Sequence, residues 1–104
     1  MNKVLIADKV YIEMQNIFQA LIHWEKGAME EEYAHKYIED ILSEIYLIPE
    51  KFYHANTTFA SHKQFGKKVH KYRRNANTMW YIIYNIDSYK NIYINKIFSN
   101  HLTK

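Results

Sequence analysis

The segment from residue 67 to residue 74 contains the side chains of this chain that are best suited to binding phosphate. It reads Lys67-Lys68-Val69-His70-Lys71-Tyr72-Arg73-Arg74. An arginine guanidinium can bind two phosphate oxygens through parallel hydrogen bonds, and lysine adds a point charge. Histidine titrates near neutral pH and can either give or take a proton. The segment therefore predicts a surface that contacts a phosphate-bearing partner, and the simpler alternative is a solvated charged face.

This basic segment is followed directly by the most β-prone part of the sequence. Residues 79–86 and 92–98 are rich in isoleucine and aromatic residues, and polar turns at 75–78 and 87–91 bound them. Residues 69–74 alternate, which places Val69, Lys71 and Arg73 on one face of a strand. His70, Tyr72 and Arg74 would lie on the other face. Three strands joined by short turns predict an antiparallel meander.

The first half of the chain has helical spacing instead. A short strand is predicted at residues 3–7, followed by a helix from Lys9 that ends near Gly27 as its C′ residue. A second helix is predicted from Glu30 to Pro49, with three glutamates at its positive N-terminal end. The apolar stripes of the two helices are Val10, Met14, Ile17, Phe18, Leu21 and Ile22, and Ala34, Tyr37, Ile38, Ile41, Leu42, Ile45 and Ile48. Residues 50–66 are interpreted as a polar connection.

Charge is divided unevenly between these halves. Residues 1–49 hold four lysines and nine carboxylates, a net charge of −5, whereas residues 50–104 hold ten cations and two carboxylates, a net charge of +8. The asymmetry predicts a basic working face supported by an acidic helical layer. We expect one face of the sheet to carry the two helices and the other to meet solvent or a partner.

Several classes of protein are disfavoured by the composition. The chain has no cysteine, so disulfides and thiolate metal sites are excluded, and the composition suits a cytoplasmic protein. Its apolar runs are shorter than the roughly 20 residues of a membrane span. His62, His70 and His101 do not have the short spacing typical of metal ligands, and two glycines cannot form a phosphate loop. We therefore expect no metal, no cofactor and no membrane partner.

The order of elements and two strand motifs resemble the RelE/ParE superfamily of bacterial toxins. Tyr81-Ile82-Ile83-Tyr84 is similar to the third-strand pattern of the family, two aliphatic residues followed by tyrosine. Residues 94–101 are similar to its last strand, which often ends in histidine, here His101. The resemblance covers nearly the whole chain and implies a single α+β domain over residues 1–104. That domain would contain an N-terminal strand, a two-helix hairpin and a three-stranded antiparallel meander.

The resemblance also implies a toxin that a cognate antitoxin holds inactive by lying across the helices and the sheet. RelE-type members cut messenger RNA on the ribosome without a metal, whereas ParE-type members inhibit DNA gyrase. A family member that only binds its antitoxin is a further alternative. We expect the RelE-type activity here and keep the other two open. Aromatic residues in excess of what a small core can hold are expected to anchor the antitoxin in an apolar groove. These aromatic residues are Trp80, Tyr81, Tyr84, Tyr89 and Tyr93.

Site residues follow from the same resemblance. Cleavage needs proton transfer and stabilisation of the crowded phosphate, which assigns His101 to the first role. The predicted phosphate cations are Lys71, Arg73 and Arg74, and the predicted nucleic-acid contacts are Lys67, Lys68, His70, Tyr81 and Lys96. Tyr81 stands where many of these nucleases have arginine, and Leu102 where they often have tyrosine. Tyr84 matches the family tyrosine, although a strand tyrosine of this kind is typical of a core.

Overall fold

Four strands and two long helices form the fold of this chain, for which a computed structural model describes residues 3–23 and 30–100. The α+β class predicted above is confirmed. The elements, numbered along the chain, are β1 (Val4–Ile6), α1 (Asp8–His23), α2 (Glu31–Leu47), a 3₁₀ turn (Ile48–Glu50), α3 (Ala60–Lys63), β2 (Lys68–Asn75), β3 (Thr78–Ile86) and β4 (Ile92–Ser99). Each predicted helix and strand lies within two residues of its observed bounds, except the end of α1. The predicted C′ residue Gly27 lies outside the described residues.

The sheet has the strand order β1-β4-β3-β2. β2 pairs antiparallel with β3, and β3 with β4, so the predicted meander is confirmed. β1 pairs in parallel with the outer edge of β4, with Val4 opposite Ile92. The sequence analysis predicted this strand but not its pairing partner. β2 therefore forms one edge of the sheet. The basic segment lies on that edge.

The helices pack on one face of the sheet through the predicted apolar stripes. Val10 and Met14 of α1 and Ile41 and Ile45 of α2 are buried in one cluster with residues of β3 and β4. The Trp80 indole on β3 is also buried there and donates a hydrogen bond of 2.9 Å to the Tyr37 hydroxyl on α2. Each of these side chains removes apolar surface from water, which stabilises the contact between layers. No helix in the described ranges is long and apolar enough to cross a membrane.

The opposite face of the sheet is partly covered by the chain itself, which corrects the interpretation of residues 50–66 as a polar connection. The Phe59 ring packs edge-on against Tyr81, and the His62 ring stacks on Phe98. Phe65 also contacts Phe98, with 5.7 Å between ring centroids. The expectation that this face meets only solvent or a partner is therefore wrong around Tyr81 and Phe98, where aromatic contacts form a second, smaller core.

Gly66 allows the connection to approach β3 closely. A Cβ atom at this position would lie 2.9 Å from the Tyr84 carbonyl oxygen and 3.0 Å from a methyl group of Ile83. The added methyl group would clash with the backbone of β3, which cannot move aside as a flexible side chain can. We therefore expect Gly66→Ala to lower the free energy of unfolding by about 1–3 kcal/mol. Urea titration would measure the loss, with Gln64→Ala, an exposed position on the same connection, as the control. Equal stability of the two variants would contradict the close approach.

Candidate nucleic-acid interface

The alternation of β2 divides the basic segment between the two faces of the sheet. Lys71 and Arg73 are exposed on the face opposite the long helices, as their predicted alternation requires. Lys71 is directly opposite Tyr81 on β3, and Tyr81 is opposite Phe98 on β4. Side chains at paired positions lie on the same face of a sheet. Lys71, Tyr81 and Phe98 therefore form a row across three strands, which we call the open-face row.

His62, which is on the connection, packs over part of this row and supports it. Its side chain is 1% exposed, and its ring centroid lies 5.0 Å from those of both Tyr81 and Phe98. Burial lowers the pKa of His62 below its ordinary value, and the charge of Lys71 lowers it further. A neutral, buried imidazole of this kind fixes the orientation of the Tyr81 ring. The sequence signal that could have found this support is the spacing of Phe59, His62 and Phe65, three residues apart.

Arg74 lies on the helix face, where it is bound by α2. Its guanidinium forms an ion pair with Asp40 and lies over the Tyr37 ring, 4.5 Å from the ring centroid. Lys36 also bonds the Asp40 carboxylate at 2.8 Å, and the hydrogen bonds from Lys36 and Arg74 hold the pKa of Asp40 below its ordinary value. Arg74 thus links the basic strand to the acidic helix rather than extending the open-face row.

His70 and Lys96 are bound to helical carboxylates in the same way. The His70 Nε2 atom lies 2.9 Å from a Glu44 carboxylate oxygen, and Lys96 Nζ lies 2.9 Å from Glu13. These contacts join β2 to α2 and β4 to α1. Of the predicted site residues, these two and Arg74 therefore contact helical carboxylates, whereas Lys71 and Arg73 are exposed.

Lys67 and Lys68 lie at the start of β2, where the connection joins the sheet edge. Lys67 is exposed, and its backbone N–H donates to the Asn85 side chain at 2.9 Å. The Lys68 ammonium donates to Asn56 at 2.7 Å, and Asn56 also bridges to Lys68 through the backbone. Neither lysine belongs to the open-face row, although both keep positive charge at the same edge of the sheet.

The predicted proton-transfer residue, His101, lies outside the described residues. The last described residue, Asn100, bonds Met79 twice: its backbone N–H donates to the Met79 carbonyl at 2.9 Å, and its side chain accepts from the Met79 N–H at 3.0 Å. Met79 in turn pairs with Arg73 on β2. The described end of β4 is thus joined through Met79 to the strand position of Arg73.

Tyr84, the tyrosine of the strand motif, is a core residue. Its side chain is 0% exposed, and burial raises the pKa of its hydroxyl to about 12. The hydroxyl lies 2.5 Å from the Nδ1 atom of His54, which is in the connection. Tyr84 therefore cannot reach a substrate directly, which agrees with the core interpretation of the sequence.

The other aromatic residues fall into two groups. Trp80 is buried, whereas Tyr89 is 81% exposed and Tyr93 is also exposed. Two apolar grooves lie on the helical side of the molecule, and Trp80 is the one of these aromatic residues that lines either of them. One of about 650 Å³ lies between α1 and α2, and one of about 380 Å³ lies between α1 and β4 beside Trp80. Tyr89 and Tyr93 thus lie outside the core, as expected for an excess of aromatic residues, whereas Trp80 and Tyr84 are part of the core.

The open-face row can hold a phosphate and a base, but the described residues do not form a metal centre. Two exposed cations on adjacent positions of one face suit a phosphate backbone, and a partly exposed tyrosine ring suits base stacking. Residues 3–23 and 30–100 contain no group of three or more histidine, cysteine, aspartate or glutamate side chains placed to hold a metal ion. The geometry therefore favours charge stabilisation and stacking.

Comparison with protein-family models, with curated proteins and with solved structures finds no match to this chain. The likeness to RelE/ParE toxins consequently rests on the strand motifs and on the order of helices and strands.

Stability should fall in mild acid because two histidines are held neutral in the fold. Burial lowers the pKa of His54 and of His62 below 6.5, and Lys51, Lys68 and Lys90 lower that of His54 further. Below about pH 6.5 the unfolded chain then binds more protons than the folded chain, so the free energy of unfolding decreases as the pH falls. We expect urea midpoints to be level above about pH 7.5 and lower at pH 5.5. In His54→Gln, which keeps an acceptor for Tyr84, the urea midpoint should decrease less between about pH 7.5 and pH 5.5 than in the wild type. A wild-type midpoint that does not change with pH would contradict this prediction.

Proposed function

We propose that this chain is the toxin of a type II toxin–antitoxin module and acts in the cytoplasm as a RelE-type messenger RNA endoribonuclease that depends on the ribosome and needs no metal. The observation that carries the proposal is the open-face row, in which exposed Lys71 is opposite Tyr81, together with Arg73, which is exposed two residues further along the same face of β2. The strand motif at residues 81–84 and the order of the elements support it. Together they support the proposal of a nucleic-acid-binding face on a toxin of this kind.

In the proposed reaction, the 2′-oxygen of the message attacks the adjacent phosphorus and the 5′-oxygen of the next nucleotide leaves. Lys71 and Arg73 bind the phosphate oxygens and stabilise the charge that develops on them. Tyr81, which pairs with Lys71 and rests on His62, stacks on a neighbouring base. His101 transfers a proton to or from the reacting oxygens. The arginine that many such nucleases have at position 81 is replaced here by stacking, so fixed charge comes from β2.

The proposed antitoxin occupies an apolar groove on the helical side. The groove between α1 and β4 is lined by Ile17, Trp80 and Ile97 and lies beside the part of β4 that β1 does not cover. Apolar side chains of a partner would remove this surface from water. An acidic segment of the same partner would complement the positive charge of Lys71 and Arg73 and block the open face.

Induced expression of the chain alone tests the proposal in cells. Growth should stop, and co-expression of the small protein encoded beside it should restore growth. Purified protein should cleave message on programmed ribosomes and leave gyrase supercoiling unchanged. Inhibition of supercoiling without message cleavage would assign the chain to the ParE-type alternative. Normal growth with folded protein present would oppose any toxin function.

A further inference from the structure

A second cationic pocket lies on the helix side of β2, away from the open-face row. It has a volume of about 260 Å³ and lies between the start of the connection and the turn that joins β3 to β4. Its lining consists of Pro49, Lys51, Phe52, His54, Ile86 and Lys90. Two lysines, one histidine and one aromatic ring thus share a space of the size of a phosphate group with part of its nucleoside. None of the lining side chains is a carboxylate.

Lys51 is held in place by a chain of hydrogen bonds. Its ammonium donates to His70 Nδ1 at 2.8 Å, and the opposite ring nitrogen of His70 donates to Glu44 at 2.9 Å. An ammonium has only donors, so Nδ1 accepts in this contact and the opposite ring nitrogen is the donor to Glu44. A lysine ammonium has three N–H donors. Among the described residues, the hydrogen bond to His70 uses one of the three N–H donors of Lys51, and the other two can bind a ligand.

His54 contributes a further donor, and a hydrogen bond to the buried Tyr84 hydroxyl fixes the orientation of its ring. Tyr84 is fully buried, and its phenol keeps its proton at neutral pH because burial raises its pKa to about 12. His54 Nδ1, at 2.5 Å, is the hydrogen-bond partner of this hydroxyl among the described residues, so we assign the phenol as the donor and Nδ1 as the acceptor. His54 then carries its own proton on Nε2, which is a hydrogen-bond donor. The lining of the pocket thus contains donors from Lys51 and His54, each oriented by a buried partner.

Lys90 is placed at the pocket by a turn with an unusual backbone. Its φ angle is 67°, in the left-handed region that residues other than glycine seldom adopt. Asp87 holds the turn by accepting from the backbone N–H groups of Tyr89 and Asn91, each at 2.9 Å. Strained positions of this kind persist where the surrounding contacts determine them, and they cluster at ligand sites. The turn therefore fixes the backbone position from which the exposed Lys90 side chain lines the pocket.

Phe52 identifies the chemistry of the ligand beyond the phosphate. Its ring lines the pocket and is fully exposed to solvent. An exposed aromatic ring next to cations is the arrangement with which proteins bind single-stranded nucleic acid, one base stacking while its phosphate is neutralised. We propose that this pocket is a second binding site for single-stranded RNA, in which Lys51, His54 and Lys90 hold a backbone phosphate and Phe52 stacks on the adjacent base.

The choice of RNA rests on the proposed function, whereas the pairing of a phosphate with a stacked ring rests on the pocket alone. The test therefore uses a short fluorescent 2′-O-methyl oligouridylate, which can bind but cannot be cleaved. Lys90→Asn removes the charge and keeps a residue that tolerates a positive φ. Phe52→Ala removes a ring whose loss exposes no core. The matched controls are Lys3→Asn, at an exposed position just before β1, and Tyr53→Ala, an exposed ring that does not line the pocket.

Each pocket variant should weaken oligonucleotide binding by about tenfold, the order of magnitude that base stacking contributes, and each control should bind like the wild type. Lys90→Asn should also reduce the salt dependence of binding by about one phosphate contact. Unchanged affinity in both pocket variants would overturn the site, and an effect of Lys90→Asn alone would overturn the RNA assignment in favour of a bare phosphate. Wild-type protein that binds through this pocket but cleaves no message would refute the proposed nuclease and leave the pocket standing.

Discussion

Removing both exposed cations of the open face should abolish nearly all message cleavage. We expect the double variant Lys71→Met, Arg73→Gln to cleave message on programmed ribosomes about 10²–10³-fold more slowly than the wild type, since preorganised donors at a developing charge contribute effects of this size. Both side chains are exposed, so the fold should keep its stability. The rate of message cleavage at matched concentrations of folded protein measures the effect.

Arg74→Gln is the most informative comparison for this double variant. Arg74 lies one residue further along β2 but on the helix face, where it binds Asp40. Its loss should lower stability, because Asp40 would lose one of its two cations, and should leave cleavage by the folded fraction within a few-fold of the wild type. Cleavage lost equally in Arg74→Gln and in the double variant would show that the two faces of β2 do not divide the work as proposed.

Replacement of His101 should have an effect of similar size by another route. His101→Gln removes a group that can transfer protons near neutral pH, and we expect cleavage to fall by about 10²–10⁴-fold. The expectation rests on the family resemblance and on the position of Asn100, which bonds Met79 beside Arg73. The rate should be measured on programmed ribosomes as above. Antitoxin binding should stay nearly intact, because the proposed groove lies between α1 and β4.

His23→Gln is the control for the histidine variant. His23 is exposed at the end of α1, where its ring bonds Gln19, and it lies on a different element from the open face. This control should cleave like the wild type. Equal cleavage by the His101 variant and the wild type would remove His101 from the mechanism and leave proton transfer to another group.

The unequal charge of the two halves has a structural explanation that the sequence indicated only in outline. Ion pairs join the acidic helices to the basic sheet through Asp40 with Arg74 and Glu13 with Lys96, and a hydrogen bond joins Glu44 to His70. Arg74 and Lys96 are therefore bound by helical carboxylates, whereas Lys71 and Arg73 are exposed and available to a partner. Composition predicted an acidic layer and a basic layer. It could not predict which cation meets which acid, because the partners lie far apart in the chain.

Features of the fold with a local cause were predictable. The three- and four-residue spacing of apolar side chains identified both helices, and alternation assigned Lys71 and Arg73 to one face and Arg74 to the other. Features that depend on distant contacts were not. The parallel pairing of β1 with β4 and the packing of Phe59 and His62 over the sheet both join segments more than 15 residues apart. The pocket of Lys51, His54 and Lys90 is of the second kind.

Mapping the ends of cellular messages after brief induction tests the central claim most directly. The claim is that the open-face row binds message and positions it for cleavage. The wild type should produce new 5′ ends at a constant position within codons, and the Lys71→Met, Arg73→Gln variant, expressed to the same level, should produce almost none. Growth arrest by the wild type without new ends, or an unchanged pattern of ends in the double variant, would contradict the claim.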